Sequence, residues 1–186
     1  CWELFSDLCP EMWEQSGHNP IRTIESSTRA QMNALAHDQV YLQLYKSTMA
    51  QFDAYMSEPV RNFETIVPRH PIAYFSMEYG LSECLPIYSG GLGVLSGDHL
   101  KSASDLNIPF LGIGLLYKSG YFRQHINKDA RQVALYPEND FSTLPIERVM
   151  DINGEPLHIT LSLPNRIMHA QVWLVRVGRV PLYLMD

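Results

Sequence analysis

The chain has 186 residues, of which 46% are apolar, 11% aromatic and 18% charged. That composition suits a packed globular protein and excludes a disordered tail, a collagen or a coiled coil. Fourteen Lys and Arg against 20 Asp and Glu give a formal charge of -6, which argues against nucleic-acid binding driven by counterion release.

A chain of this length can remove roughly 70% of its extended surface from water. Numbering opens on Cys1 and closes in Val180–Asp186 (VPLYLMD), which reads as a strand with no turn after it. The expectation is a piece of a larger polypeptide. Cys1, Cys9 and Cys84 are an odd number without C-x-x-C spacing, so reduced thiols are expected rather than a disulfide framework or a thiol-based zinc site. No apolar run reaches the roughly 18 residues of a membrane span, and no basic-then-apolar leader opens the chain, so the expected location is the cytoplasm.

Taken in order, Cys1 to about Glu58 reads as two or three helices. Ile21, Ile24 and Thr28 recur at helical spacing, and an apolar stripe continues through Met32, Leu35, Val40, Leu42, Leu44, Tyr45, Met49, Phe52 and Tyr55 or Met56. Ser6 or Asp7 ahead of Leu8, and Asn19 ahead of Pro20, suit helix starts, because a short side-chain acceptor meets the free amides of a first turn. Asp38 reads as exposed face. Pro59 and Pro68–Pro71 (PRHP) break the pattern, which divides the chain into a helical segment, 1–68, and a second region, 69–186.

The second region changes grammar. Ile72–Met77 (IAYFSM) and Phe110–Tyr117 (FLGIGLLY) read as strands, the latter apolar enough for a parallel strand covered on both faces. Gly93–Asn107 between them reads as a helix ending before Pro109, completing a βαβ unit. Tyr121–Ile126 and Leu157–Leu163 follow as strands, with a tight turn at Asn153-Gly154. Ala170–Val177 and Gly178–Leu184 read as a hairpin turning near Gly178. The predicted class is α/β, with a helical front and an antiparallel extension.

Glycine clusters once, in Ser89-Gly90-Gly91-Leu92-Gly93, ahead of the crossover helix. Glycines there allow positive φ and close approach of a ligand, while the helix start offers free amides and partial positive charge, which together suit an anion or the polar face of a sugar. The same loop can be no more than a flexible turn capping a helix. It is not a P-loop, since no Gly-Lys-Ser/Thr follows, and Gly91, Gly93 and Gly97 are one residue too widely spaced for the dinucleotide fingerprint. Glu78 at the first strand's end, with Asp98 and His99 in the helix, can bind sugar hydroxyls or orient a reacting group. Each alone is also an ordinary packed polar residue. His18, His37, His70, His125, His158 and His169 have no metal-ligand spacing, and no metal is expected.

Several blocks carry a resemblance in order: Trp13–Pro20 (WEQSGHNP), Tyr74–Gly80 (YFSMEYG), Leu85–Leu95 (LPIYSGGLGVL), Gly97–Leu106 (GDHLKSASDL), Gly112–Tyr117 (GIGLLY) and Gly120–Gln124 (GYFRQ). Together they resemble the α-glucan (glycogen, maltodextrin) phosphorylases, in particular the bacterial and archaeal branch. The resemblance implies a GT-B glycosyltransferase with two Rossmann-like domains, of which this chain would hold the truncated first part. It implies pyridoxal phosphate carried by a lysine of the C-terminal domain, and release of glucose 1-phosphate, with retention, from an α-1,4-glucan by inorganic phosphate. It places Gly90 and Gly91 on phosphate or glucose through backbone amides, and Leu92 on the sugar face. Ser89 stands where many members have Asn, while Glu78, Asp98 and His99 are supporting residues.

No catalytic residue is assigned within the 186 residues, and the chain alone is expected to be inactive. Implied partners are the glucan, phosphate and the remaining C-terminal part of the polypeptide, with room for a homo-oligomer and none for nucleic acid or membrane. Two alternatives stay open: a glycogen or starch synthase-like enzyme using a nucleotide-sugar donor, and a non-catalytic glucan-binding or oligomerisation module.

Overall fold

The computed structural model describes residues 2–59 and 71–186, so the expected boundary at 68/69, with Pro68, Arg69 and His70, lies outside the described residues. The described residues are mixed α/β and fall into two compact units. One holds residues 2–59 and 142–145; the other holds residues 71–141 and 146–186.

The first unit contains five helices, α1 Trp2–Leu8, α2 Pro10–Gln15, α3 Pro20–Ser26, α4 Arg29–His37 and α5 Gln39–Ser57, where the sequence suggested two or three. Short polar residues make the difference. The start expected at Ser6 or Asp7 lies inside α1. The chain breaks instead at Cys9, and Pro10 opens α2, where its missing amide costs nothing. Asn19 caps α3 as expected, its Oδ1 accepting from the amides of Ile21 at 3.0 Å and Arg22 at 3.2 Å. Thr28 forms a capping box with Gln31. Asp38 is exposed, as expected, and in addition caps α5 through Val40 and Tyr41, which splits the single apolar stripe into two helices. Trp13 is buried, with Phe5 stacked on it at 5.4 Å and Trp2 edge-on at 5.6 Å. Met32, Val40, Tyr45, Met49, Phe52 and Met56 remain exposed.

The second unit is built on a mixed sheet. Strands β1 Ile72–Phe75, β2 Phe110–Leu115 and β8 Val180–Met185 run parallel. Strand β7, Arg166–Val177, pairs antiparallel with β8, and on its other side with β5 (Glu147–Arg148) and β6 (His158–Leu163). Strands β3 Arg123–Ile126 and β4 Gln132–Leu135 form a separate hairpin. The β7–β8 hairpin turns at Gly178, φ 57°, as its sequence suggested. Helix α6, Gly91–Asp105, connects β1 to β2, so the expected βαβ unit is present. It ends where Asn107 takes φ 48°, a left-handed residue one step past the C-cap that releases the chain into β2.

Strand β2 is covered on one face rather than two. Phe110, Gly112 and Gly114 are buried; Leu111, Ile113 and Leu115 are not. Only α6 lies in this unit among the described helices, and it reaches one side. Both glycines of β2 are spaces for neighbours: a Cβ at Gly112 would press on Leu182 at 2.8 Å and Leu100 at 3.2 Å, and one at Gly114 on the Tyr79 ring at 2.7 Å. Tyr79 fills that space fully buried, its hydroxyl donating to Tyr74 O at 2.8 Å and lying 3.1 Å from Ile113 O.

Candidate functional site

The candidate site forms where β1 ends and α6 begins. Beyond β1, Ser76 accepts a hydrogen bond from the Glu78 amide at 3.4 Å and donates back to Glu78 O at 3.0 Å, bending the chain so that the Glu78 side chain leaves the sheet edge. The hydroxyl of Ser96, buried in α6, lies 2.8 Å from Ser76 Oγ and 2.9 Å from Leu92 O. The strand end and the helix start are therefore joined by two hydroxyls, Ser96 buried and Ser76 half-buried.

The glycine loop itself departs from expectation. Gly90 is the N-cap of α6, with extended backbone at φ -159°, and Gly90, Gly91 and Gly93 are all outside the left-handed region. Their use here is the missing Cβ. At Gly93 a Cβ would collide with Tyr88, and at Gly97 with the backbone oxygen of Gly80, so these two let the helix lie directly on the Tyr79–Gly80 segment, where the Gly80 amide donates to Gly93 O at 2.7 Å. At Gly90 and Gly91 nothing lies within 4 Å of an added Cβ. That is open space over the start of a 15-residue helix whose cap supplies no side-chain acceptor. The first turn-closing bond runs from the Val94 amide to Gly90 O, and the amides ahead of it, at the positive end of the helix dipole, suit an anion.

Glu78 and Ser89 meet. The Ser89 hydroxyl donates to Glu78 Oε1 at 2.8 Å and its amide to Oε2 at 3.2 Å. Beside this contact lies a hollow of about 220 Å³ lined by Glu78, Pro86, Tyr88, Ser89, Tyr117 and Tyr121 among others. Sequence reasoning assigned no role to the three tyrosines, although all three sit in blocks it had singled out. Tyr117 donates to Met77 O at 3.0 Å, and its phenol is held above its ordinary range, first by burial and then by the Glu78 carboxylate. Aromatic rings with a carboxylate and a hydroxyl at one opening are chemically suited to a carbohydrate, whose C–H faces stack and whose hydroxyls hydrogen-bond.

Asp98 and His99 are not brought to this place. They line a different, apolar hollow of about 600 Å³ with Ile72, Leu95, Leu106 and Phe110, which shares no lining residue with the first. The His99 ring packs on Tyr74 at 4.9 Å and on Phe110 at 5.1 Å. Ser89, Gly90, Gly91 and Leu92 are all exposed, with Glu78 half-buried behind them. Among the described residues no three His, Cys, Asp or Glu side chains converge as a metal would need, and no helix is long and apolar enough to cross a membrane.

Residues 1–85 match a family described as a protein of unknown function, DUF3417. Along 99% of its length the chain is 42% identical to the maltodextrin phosphorylase of Thermococcus litoralis, and 41% identical to the glycogen phosphorylase of Mycobacterium tuberculosis. It spans 22% of the length of each. The glycogen phosphorylase of Aquifex aeolicus is 35% identical over 99% of the chain, which covers 26% of that protein. By sequence, and along nearly all of its residues, the chain is a relative of the maltodextrin and glycogen phosphorylases.

Proposed function

We propose that the chain is the front part of an α-1,4-glucan phosphorylase of GT-B architecture, which releases glucose 1-phosphate from glycogen or maltodextrin with inorganic phosphate. The observation that carries this reading is the open, uncapped start of α6 at Gly90 and Gly91 beside a tyrosine-lined hollow. Preorganised amides at such a place stabilise developing negative charge without reorganising during the reaction. Ser89, Gly90, Gly91 and Leu92 would form one wall of the substrate cleft, with the Gly90–Gly91 amides toward phosphate and Leu92, 55% exposed, toward the sugar face. Likeness to proteins named phosphorylases over 99% of the chain supports the same reading.

The opposite wall would come from the rest of the polypeptide, as would the lysine that carries pyridoxal phosphate. When bound, that group supplies an acidic phosphate that exchanges a proton with the attacking phosphate. The unobstructed space over Gly90 and Gly91 fits phosphate groups approaching from that side. The division into a helical segment, 1–68, and a catalytic region from 69 onward belongs to this proposal, as do a cytoplasmic location and a homo-oligomeric assembly.

The test is a reaction with the full-length polypeptide, maltodextrin and inorganic phosphate. Glucose 1-phosphate should accumulate only when phosphate is present. Glucan extension that requires a nucleotide-sugar donor, with no phosphorolysis, would replace this reading with a synthase. The 186 residues alone should hold no pyridoxal phosphate and release no glucose 1-phosphate.

A further inference from the structure

We propose that Glu78 is the positioning residue of the glycine loop, holding Ser89 by both carboxylate oxygens so that the Gly90–Gly91 amides stand fixed toward the ligand. The proposal rests on the phosphorylase reading for its kinetic consequences, but the anchoring itself rests on geometry. Gly90, Gly91 and Leu92 are exposed, and no atom lies within 4 Å of a Cβ built at either glycine. Such a segment can present amides in a constant direction only if its flanks are fixed.

Both flanks are. On the helical side, Gly93 O accepts from the Gly80 amide at 2.7 Å, and the Ser96 hydroxyl lies 2.9 Å from Leu92 O. On the strand side the restraint is Glu78, eleven residues from Ser89 in sequence, which takes the Ser89 amide on Oε2 and the Ser89 hydroxyl on Oε1. Two acceptors on one rigid group fix backbone and side chain together, as a single hydrogen bond does not. Glu78 is itself held by Ser76 through its amide and its carbonyl, and Ser76 is tied to Ser96 of α6. The result is a closed ring from β1 through Glu78 and Ser89, along the loop into α6, and back to Ser76.

The choice of a carboxylate is informative. A negative charge beside an anion-binding loop works against the anion, so a neutral acceptor would serve better if attraction alone mattered. A glutamine could hold Ser89 only by taking the amide on its oxygen and donating from its NH₂ to the Ser89 hydroxyl, which would then have to turn and accept. A carboxylate accepts both donors, one on each oxygen, with the hydroxyl in the role it has here, which points to geometry as its role.

The experiment compares wild type, E78A, S89A and the double variant in the full-length polypeptide, reading kcat, the KM for phosphate and for glucan, and hydrogen exchange of the peptide spanning residues 89–92. E78A removes both acceptors and should lower kcat roughly ten- to hundredfold, the scale of a misplaced reacting group, with the glucan KM unchanged and faster exchange in 89–92. S89A removes only the hydroxyl contact and should fall between wild type and E78A. The double variant should be no slower than E78A, because both changes cut the same link. Wild-type kcat and wild-type exchange in E78A would overturn the proposal, as would losses that multiply in the double variant, which mark two independent substrate contacts. If the wild-type polypeptide makes no glucose 1-phosphate, the phosphorylase reading fails, and the exchange comparison still decides whether Glu78 anchors the loop.

Discussion

At the scale of single residues, four glycines of one short segment have opposite tolerances, and the difference can be measured. Gly91 is the first residue of α6 and faces open space, so Gly91→Val should leave the melting temperature of the full-length polypeptide nearly unchanged, since valine forms helix no worse than glycine. Its side chain would occupy the ligand's approach, and glucose 1-phosphate formation should fall at least about a hundredfold, the loss seen when an oxyanion donor is removed. Gly97→Ala should do the reverse. Its methyl group meets the backbone of Gly80, which cannot move aside as a flexible side chain would, so destabilisation of about 1–3 kcal/mol is expected. A Gly91→Val enzyme of near-normal rate would make the loop a plain turn. A Gly97→Ala protein that melts normally would show that α6 does not rest on Gly80.

Tyr79 provides a second residue-scale measurement. Burial pushes its phenol up to about 12, and the hydroxyl donates to main-chain carbonyls, a role the phenolate cannot fill. The folded state thus holds its proton more tightly than the unfolded state, whose tyrosine titrates near 10. Its contribution is complete below pH 10 and is lost as pH rises toward 12. Tyr79→Phe should lower stability by about 1 kcal/mol at neutral pH through the lost hydroxyl bond to Tyr74 O, and should flatten the fall in melting temperature between pH 10 and 12. Parallel alkaline melts of the two proteins read the difference; identical slopes would remove Tyr79 as its source.

At the scale of elements, what was legible depended on whether the signal was local. Asn19-Pro20 announces α3, because both residues act within one turn. Gly93–Asn107 was placed within two residues of α6 at each end, because its apolar spacing and Pro109 are also local. The glycine motif marked the open start of α6; of the reasons that spacing suggests, positive φ is not used, and the close approach of Gly93 and Gly97 to Tyr88 and Gly80 is invisible to it because it depends on chain folding back from a distance. Thr28 and Asp38 were missed as caps because an unbroken apolar stripe masked them. The Glu78–Ser89 contact and the separation of Asp98 and His99 from it depend on which way each side chain leaves its element, and spacing does not encode that across eleven or more residues.

Asn19 shows the same distinction inside one side chain. Its oxygen caps α3, which sequence predicts, while its Nδ2 donates to Thr143 O at 2.8 Å, more than a hundred residues away, tying residues 142–145 into the helical unit. Asn19→Asp keeps the cap and loses the donor, whereas Asn19→Ala loses both. The alanine variant should be less stable than wild type by about 1–2 kcal/mol from the cap alone, plus the loss of the Nδ2 hydrogen bond to Thr143 O, with the aspartate variant between. Thermal melts followed by circular dichroism would rank the three; equal melts for Asp and wild type would mean that the Thr143 contact contributes nothing.

At the scale of the whole molecule, large apolar faces remain uncovered. The sheet register sets Phe75, Ile113, Tyr183 and Leu174 in one row and Leu115 and Met185 in the next, on the side away from α6. Phe75 is 70% exposed and Leu115 37%. Parallel strands are found almost entirely with both faces covered, and contiguous exposed apolar surface of this kind marks an interaction face. Relatives of this sequence are between four and five times as long, since the chain spans 22% of two of them. The 186 residues alone should therefore bind an apolar-surface dye such as ANS strongly and associate as concentration rises, while the full-length polypeptide should bind it weakly. Phe75→Glu in the short chain tests whether this face is responsible. A residue so exposed in the short chain gives up little packing when replaced, so dye binding and association should fall with little change in melting temperature. In the full-length polypeptide the same substitution should be strongly destabilising, because it buries an unpaired charge. Background dye binding by the short chain, or equal tolerance of Phe75→Glu in both lengths, would show that no other part of the polypeptide covers this face.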